Sequence, residues 1–464
     1  MDKEDNTEEL VRKFEEMLKN EGHYFFDEDM YLDVAEHYIS NDMPESALEA
    51  CKTGLDVFPL SMEISIIYTQ ILLTIGKAEK ALEILENLEN IHPNQPDVAL
   101  IKSTAFCYLG HFEQAISVLK TSIENAENKE DFYFNMGLAY QSWDKFSLAI
   151  DVYKKTILLD NTHEGAIFEL AYCLEELDRL EEGVTFYKEL IDKDPYSYVS
   201  WYNLGDIYHK AARYNEAVEA FDYAITIKDD YDDAHFYMGT AYMNLKDYDN
   251  ARKAFLRTLE LEDEDPNADT LCHVGASYEK QENYEKAIQY YRKAITADDE
   301  WHEAWYGTGV CLDAAGKWFD ALQFVQKAKQ LDDENPLYWT SQAHLDYKIG
   351  NILSSLAAYE KASELDPFNP KIWLDWSFIY YEQGNYEEAI GVLEAALADT
   401  PDNSEFLYRI VAYLMEAGKY KQAFDYLETV LAIDYDGHTQ LYEFFTDLEV
   451  QKAIFKIIEQ YKSE

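Results

Sequence analysis

Apolar residues in this chain recur at three- and four-residue intervals in short blocks separated by brief polar stretches, the period of amphipathic helices. Between Tyr198 and Tyr231, Trp201, Leu204, Gly205 and Tyr208 lie near one stripe of a first helix, and Ala217, Phe221 and Ala224 near one stripe of a second. Gly205, Ala217 and Ala224 are small enough to let two helices approach closely. Trp201, Tyr208, Tyr214 and Phe221 would fill the space between them. The text WYNLGDIY at 201 returns as WYGTGVCL at 305 and as YFNMGLAY at 133.

The small position steps by 34 residues. Ala47, Ala81, Ala115, Ala149, Gly183, Ala217 and Ala251 share it; after a two-residue insertion near Glu264 it continues through Ala287, Ala321, Ser355, Ala389 and Ala423. This predicts about twelve helix-turn-helix units over residues 28–437, starting near 28, 62, 96, 130, 164, 198, 232, 268, 302, 336, 370 and 404. The prolines agree. Pro59, Pro93, Pro195, Pro367 and Pro401 follow second helices, Pro96, Pro336 and Pro370 open first helices, Pro44 lies in a turn and Pro266 in the insertion. An array needs its end faces covered. Residues 1–27 contain an amphipathic stretch from Thr7 to Asn20 with Phe14 and Leu18 spaced to pack on the first unit. Residues 438–464 carry Leu441, Phe444, Phe445, Leu448, Ile454, Ile457 and Ile458, which read as capping helices or as a homodimer surface.

The W-x2-L-G-x2-Y, A-x3-F and terminal P pattern at this period resembles the tetratricopeptide repeat family, and the preference for Lys over Arg resembles its bacterial members. Lys102 and Tyr68 depart from it at the leucine position, and Asp346 at the tyrosine position. The resemblance implies an all-α fold, a right-handed α-solenoid superhelix whose first helices line a concave face where a protein or peptide binds.

Composition narrows the partners. There are 91 acids against 39 bases, a formal charge of −52, which disfavours nucleic acid and anionic membranes and leaves a solubilising surface or a field that attracts basic partners. Cys51, Cys107, Cys173, Cys272 and Cys311 form no CxxC pair and read as free thiols in helices, which fits a reducing compartment. The acidic opening MDKEDNTEEL is unlike a signal peptide, and no stretch approaches the eighteen apolar residues of a membrane span, so the expected location is the cytoplasm.

With one stripe of each first helix used for packing, the opposite stripe passes through the residue after the leading Trp and continues four and seven residues on. Its first positions include Phe134, Phe168, Tyr202, Phe236, Cys272, Tyr306, Thr340, Leu374 and Tyr408; further along come Tyr172, Asp206, His209, Met243, Asp313, His344, Tyr347, Phe378 and Tyr381. The candidate groove is drawn from Phe134, Phe168, Tyr202, Asp206, His209, Phe236, Met243, Tyr306, Tyr347, Tyr381 and Tyr408. These aromatics either pack on one another or offer a ligand large contact area, with carboxylates favouring Lys or Arg on it. The Lys and Asn clamp by which some family members hold a C-terminal carboxylate is not built here, since Asn203 and Lys210 stand isolated. Trp305, Trp339 and Trp373 read as core, and Trp301, in a loop, as more open to binding.

No HExxH, glycine-rich phosphate loop or GxSxG elbow occurs, the histidines form no ligand set, and the acidic cluster Asp229, Asp230, Asp232 and Asp233 lacks the glycine of a calcium loop. The expected function is a non-catalytic scaffold without cofactor or metal that binds a protein or peptide. The alternatives are a chaperone-like or assembly factor for basic or unfolded clients, and a self-associating structural component.

Overall fold

In a computed structural model, each apolar stripe forms a helix and no strand occurs among the described residues, which are 3–19, 22, 24–93, 95–262, 266–445 and 448–461. Twelve helical pairs follow one another, from Glu28–Ser40 with Pro44–Val57 to Ser404–Glu416 with Tyr420–Ile433. Glu264, near which the step changes, and Asn20 lie outside the described residues. The chain divides into two units, Met1–Asp229 and Asp230–Glu464, each holding six of these pairs.

A small residue buried against the other helix marks every pair. The small residues at the 34-residue step are all buried, with Ala217, Ala251 and Ala287 at 0% exposure. A second such position lies in the first helix, where a Cβ added to Gly205 would meet the Phe221 ring at 2.6 Å, and one added to Gly239 would meet Phe255 at 2.6 Å. A Cβ on Gly137 would meet Tyr153 and one on Gly275 Tyr291. At two pairs where the second helix supplies a leucine, the first helix supplies more bulk than glycine: Ser377 with Leu393, Val411 with Leu427, all buried. Gly309 with Val325 and Ala35 with Cys51 are smaller combinations at the same positions, so the exchange is a tendency of close packing and not a fixed sum.

The helix ends are set by local chemistry. Eight of the twelve first helices open on caps whose side chains accept a backbone N–H, as Ser61 does from Ile64 at 3.1 Å and Asn403 from Phe406 at 3.1 Å. They close on a residue in the left-handed region, after which the next amide donates to the carbonyl five residues back, as Lys77 to Leu72 at 2.8 Å and Asn351 to Asp346 at 2.7 Å. Glycine fills this position in only half the pairs; Asp42, Asp144, Asp178, Ala212, Lys246 and Glu282 hold it in the others. The hydrogen bond and the packing of the pair impose the conformation at about 1–2 kcal/mol for a residue with a Cβ.

At the N-terminal end the helix runs Lys3–Leu18, starting before Thr7. Phe14 is buried against Phe26 and Tyr31 at ring distances of 6.0 and 6.2 Å, whereas Leu18 stays 44% exposed and does not pack as its spacing suggested. Leu10, not Leu18, is the second buried anchor. At the other end Leu441, Phe445, Ile454 and Ile458 turn inward onto the core of the last pairs, and Phe444 and Ile457 pack at its edge. The Leu448 side chain lies outside the described residues. Of the departures from the repeat pattern, Asp346 is buried and accepts from Gln342, Asn351 and Ser354 at 3.2, 3.2 and 2.7 Å, and Lys102 reaches Glu89 at 2.7 Å.

The turn and the helix interior make opposite demands on glycine. Gly350 has φ +86°, Gly391 lies inside the helix Tyr386–Leu397, and an added Cβ would meet nothing within 4 Å at either. Gly350→Ala is expected to lower stability by about 1–2 kcal/mol, and Gly391→Ala to raise it by about 0.5–1 kcal/mol. Thermal melting of both variants checks the signs; shifts in the same direction contradict this account of the turns.

Candidate peptide-binding face

The first helices of the unit Met1–Asp229 carry five of the candidate residues. Phe134 is half-buried, its ring 6.0 Å from Tyr153 and 4.6 Å from His163. Tyr202 packs 5.8 Å from Phe221, and His209 lies 5.3 Å from Tyr214. Phe168 is open, 68% exposed, with Tyr172 one turn further on at 41%. The core tyrosines reach this face with their hydroxyls. Tyr153 donates to Gln141 at 2.7 Å, and Gln141 donates to Glu169 of the next pair at 2.7 Å. Burial raises the Asp206 carboxyl above its ordinary pKa, against the pull of Lys210 and with a contribution from Glu175. Burial also lowers the His209 imidazole, with Lys210 adding to it.

In the unit Asp230–Glu464, Phe236 and Met243 are half-buried against the cluster of Ala251, Phe255 and Val274. Tyr381 stacks on Tyr413 at 4.7 Å within a ring cluster that includes Phe378 and Phe444. Tyr408 does not line an open surface: it is 1% exposed, and its hydroxyl donates to the Asp434 carbonyl of the following segment. Cys272 and Leu374, which share its position in the repeat, are 7% exposed. At these three pairs the first position of the stripe is consumed by contact with neighbouring elements.

Tyr306 and Tyr347 are brought together. They line a cavity of about 590 Å³ formed by the first helices His302–Ala314, Pro336–Lys348 and Pro370–Glu382. Asp313, Thr340, His344 and Phe378 from the same stripe join them. The Tyr306 hydroxyl lies 3.1 Å from Ser341 Oγ, and Tyr347 donates to Glu382. Asp313 is held by Lys348 at 2.7 Å, with His344 at 3.8 Å. Asp375 makes no hydrogen bond or ion pair within 4 Å among the described residues. Burial raises its carboxyl although Lys371, His344 and Arg409 oppose this. Burial lowers the His344 imidazole, helped by Lys348. Leu337, Ser341, Lys371 and Asp375 were missed by the sequence reading, which followed one residue per turn; including the neighbours three before and one after would have found all four.

Four of the eight tryptophans pin loops. The indole N–H groups of Trp201, Trp305, Trp339 and Trp373 donate to carbonyls six residues earlier, at 3.0, 2.9, 2.7 and 2.8 Å, pinning the loop that enters each first helix. Trp301 is not the open residue its loop position suggested: it packs against the core around Cys272 and Ala287, and its indole nitrogen is buried. All five cysteines are free thiols, and burial pushes Cys51, Cys173 and Cys311 up to about 12. Among the described residues no helix is long and apolar enough to cross a membrane, and no group of three His, Cys, Asp or Glu is placed to hold a metal.

Tandem helical pairs, each closed by a small residue against a large one, define a helical-repeat protein. The chain belongs to the tetratricopeptide repeat family: seven of the family's sequence profiles match residues 130–163, 166–197, 186–219, 205–246, 231–300, 274–336 and 350–412. A stretch of 80 residues, 17% of the chain, is 36% identical to Protein bimA of Emericella nidulans and covers 10% of that protein. The chain thus spans about a tenth of that relative. Among solved structures, the APC/C hetero-tetramer Cut9–Hcn1 is similar over 94% of this chain and 96% of its own, with 13% identity and a TM-score of 0.38. YrrB, described as a tetratricopeptide repeat protein with an unusual peptide-binding site, is similar over 40% of this chain and 95% of its own, with 19% identity and a TM-score of 0.33.

The raised Asp206 carboxyl carries a pH signature. The native state holds this proton to higher pH than the unfolded chain, so ionisation opposes folding above the raised value and the penalty vanishes below the ordinary 3.8. Asp206→Asn should therefore melt above the wild type at pH 7, with the gap closing as the pH falls. A gap that widens on acidification contradicts this.

Proposed function

We propose that this chain is a non-catalytic cytoplasmic scaffold that binds a segment of a partner protein on its first-helix face, with residues 1–27 and 438–464 closing an array over 28–437. Family membership supports the general role of protein interaction. The observation that carries the finer reading is the cavity between three successive first helices, where Tyr306, Tyr347 and Phe378 surround a carboxylate, Asp375, that no donor of the described chain engages directly. A half-buried carboxylate without a direct donor is uncomfortable in the free protein and is relieved by a cation in the ligand. The ligand is then an aliphatic or aromatic residue seated among the rings beside a Lys or Arg that reaches Asp375. Phe134, Phe168, Tyr202, Asp206 and His209 form the corresponding face of the first unit, with Phe168 and Tyr172 as its open anchors.

Selection of displayed random peptides on the full chain tests this. Peptides pairing an apolar side chain with Lys or Arg are expected, and Asp375→Lys should weaken them by about tenfold or more while helicity stays intact. A family of weak binders with no shared pattern would favour the chaperone-like reading. Affinity within about twofold of the wild type after Asp375→Lys would remove the cavity from the account.

A further inference from the structure

The second residue of every second helix occupies one place in the repeat, at the edge where the two helices of a pair turn into one another. Seven of the twelve are acidic, from Glu45 to Glu387, and Ser147, Asn215 and Lys421 are polar. An acid at this place favours the helix, whose first amides carry partial positive charge. It also ties successive pairs together. Arg213, which caps the next second helix, reaches Glu181 at 2.6 Å, and Lys419 reaches Glu387 at 2.7 Å in the same way. Arg179 donates to Ser147 at 3.1 Å.

Two successive pairs of the unit Asp230–Glu464 depart from this pattern. Phe319 and Leu353 hold the place there, and they are 69% and 84% exposed. Both sides of the tie are changed, since the residues that would reach back to them are Asn351 and Asn385 instead of cations. Asn351 turns to Asp346 at 3.2 Å. At these exposures neither apolar side chain packs to any extent on its own pair. Trp318, beside Phe319, adds a ring that is 39% exposed. The edge gives up an acid and a tie at each of two neighbouring pairs and shows water an apolar ridge, the mark of a surface that another molecule covers.

The ridge adjoins the first-helix cavity. Both use the same pairs: His302–Ala314 and Pro336–Lys348 wall the cavity, and the second helices Trp318–Leu331 and Ile352–Leu365 carry the ridge. Lys348 joins them. It holds Asp313 of the cavity wall at 2.7 Å, and its ammonium lies 5.9 Å from the centre of the Trp318 ring.

Resting on the cavity as the site of the partner's cation, we propose that cavity and ridge are one binding surface. The partner segment whose Lys or Arg reaches Asp375 continues past Lys348 and lays two apolar side chains on Phe319 and Leu353. Continuity with the cavity selects this occupant. Charge opposes a second copy of the chain, because each copy carries −52.

Peptides selected on the full chain and remeasured by fluorescence polarisation supply the test. The tightest are expected to carry two apolar residues beyond the part that pairs an apolar side chain with Lys or Arg. Phe319→Asn with Leu353→Ser installs residue types that the chain itself uses at this place, at Asn215 and Ser147. This variant should melt as the wild type does and bind these peptides about tenfold or more weakly. Removing the two apolar residues from the peptide should cost the wild type the same factor and the variant nothing. Asp375→Lys should weaken the same peptides independently. Affinity within about twofold of the wild type after Phe319→Asn with Leu353→Ser overturns the ridge and leaves the cavity standing. Peptides that respond to the ridge variant and not to Asp375→Lys overturn the continuity of the two. A lowered melt would return Phe319 and Leu353 to the fold, and a dimer that the ridge variant dissolves would make the occupant a second copy; either result overturns the proposal.

Discussion

The contact on which the rest depends is the crossing of two helices within each pair, where in most pairs one supplies a small residue and the other a ring or a leucine. That exchange decides how closely the axes approach, which stripe of the first helix is spent on packing, and therefore which stripe is left for another molecule. The ring that fills the crossing also reaches beyond it. Tyr153 places its hydroxyl on Gln141, and Tyr291 its own on Glu279 at 2.7 Å, so the core fixes side chains of the opposite stripe by hydrogen bonds. Core and candidate binding face are in this sense one structure.

Much of the fold was legible because the crossing is written in residue size, and size survives at a fixed step. Ala47 to Ala423 mark one side of it, and the buried state of Ala217, Ala251 and Ala287 follows directly. The turns were less legible. Their conformation is shared by glycine at Gly316 and by aspartate, alanine, lysine and glutamate elsewhere, because the backbone hydrogen bond imposes it whatever the side chain. The ends were legible only in outline: Phe14 anchors the first helix, but Leu18, also apolar and suitably spaced, does not.

The candidate face was legible as a stripe and not as a surface. Phe168, Tyr202 and Tyr408 occupy the same place in the repeat, yet the first is open, the second half-buried and the third enclosed. What separates them is the neighbouring element, which periodicity does not encode. The cavity lined by Tyr306 and Tyr347 also takes Ser341, Lys371 and Asp375 from beside the stripe, because a cavity between helices collects residues from more than one angular position on each.

The size exchange itself is measured most directly by a double-mutant cycle at Gly205 and Phe221, using a combination the chain already employs at Val411 and Leu427. Gly205→Val alone drives a side chain into the Phe221 ring, and Phe221→Leu alone leaves a void. If the crossing is governed by the sum of the two side chains, the double variant will recover about 1 kcal/mol or more of what the single losses add up to. Strictly additive losses would contradict the claim that reciprocal size at the helix crossing holds each pair together.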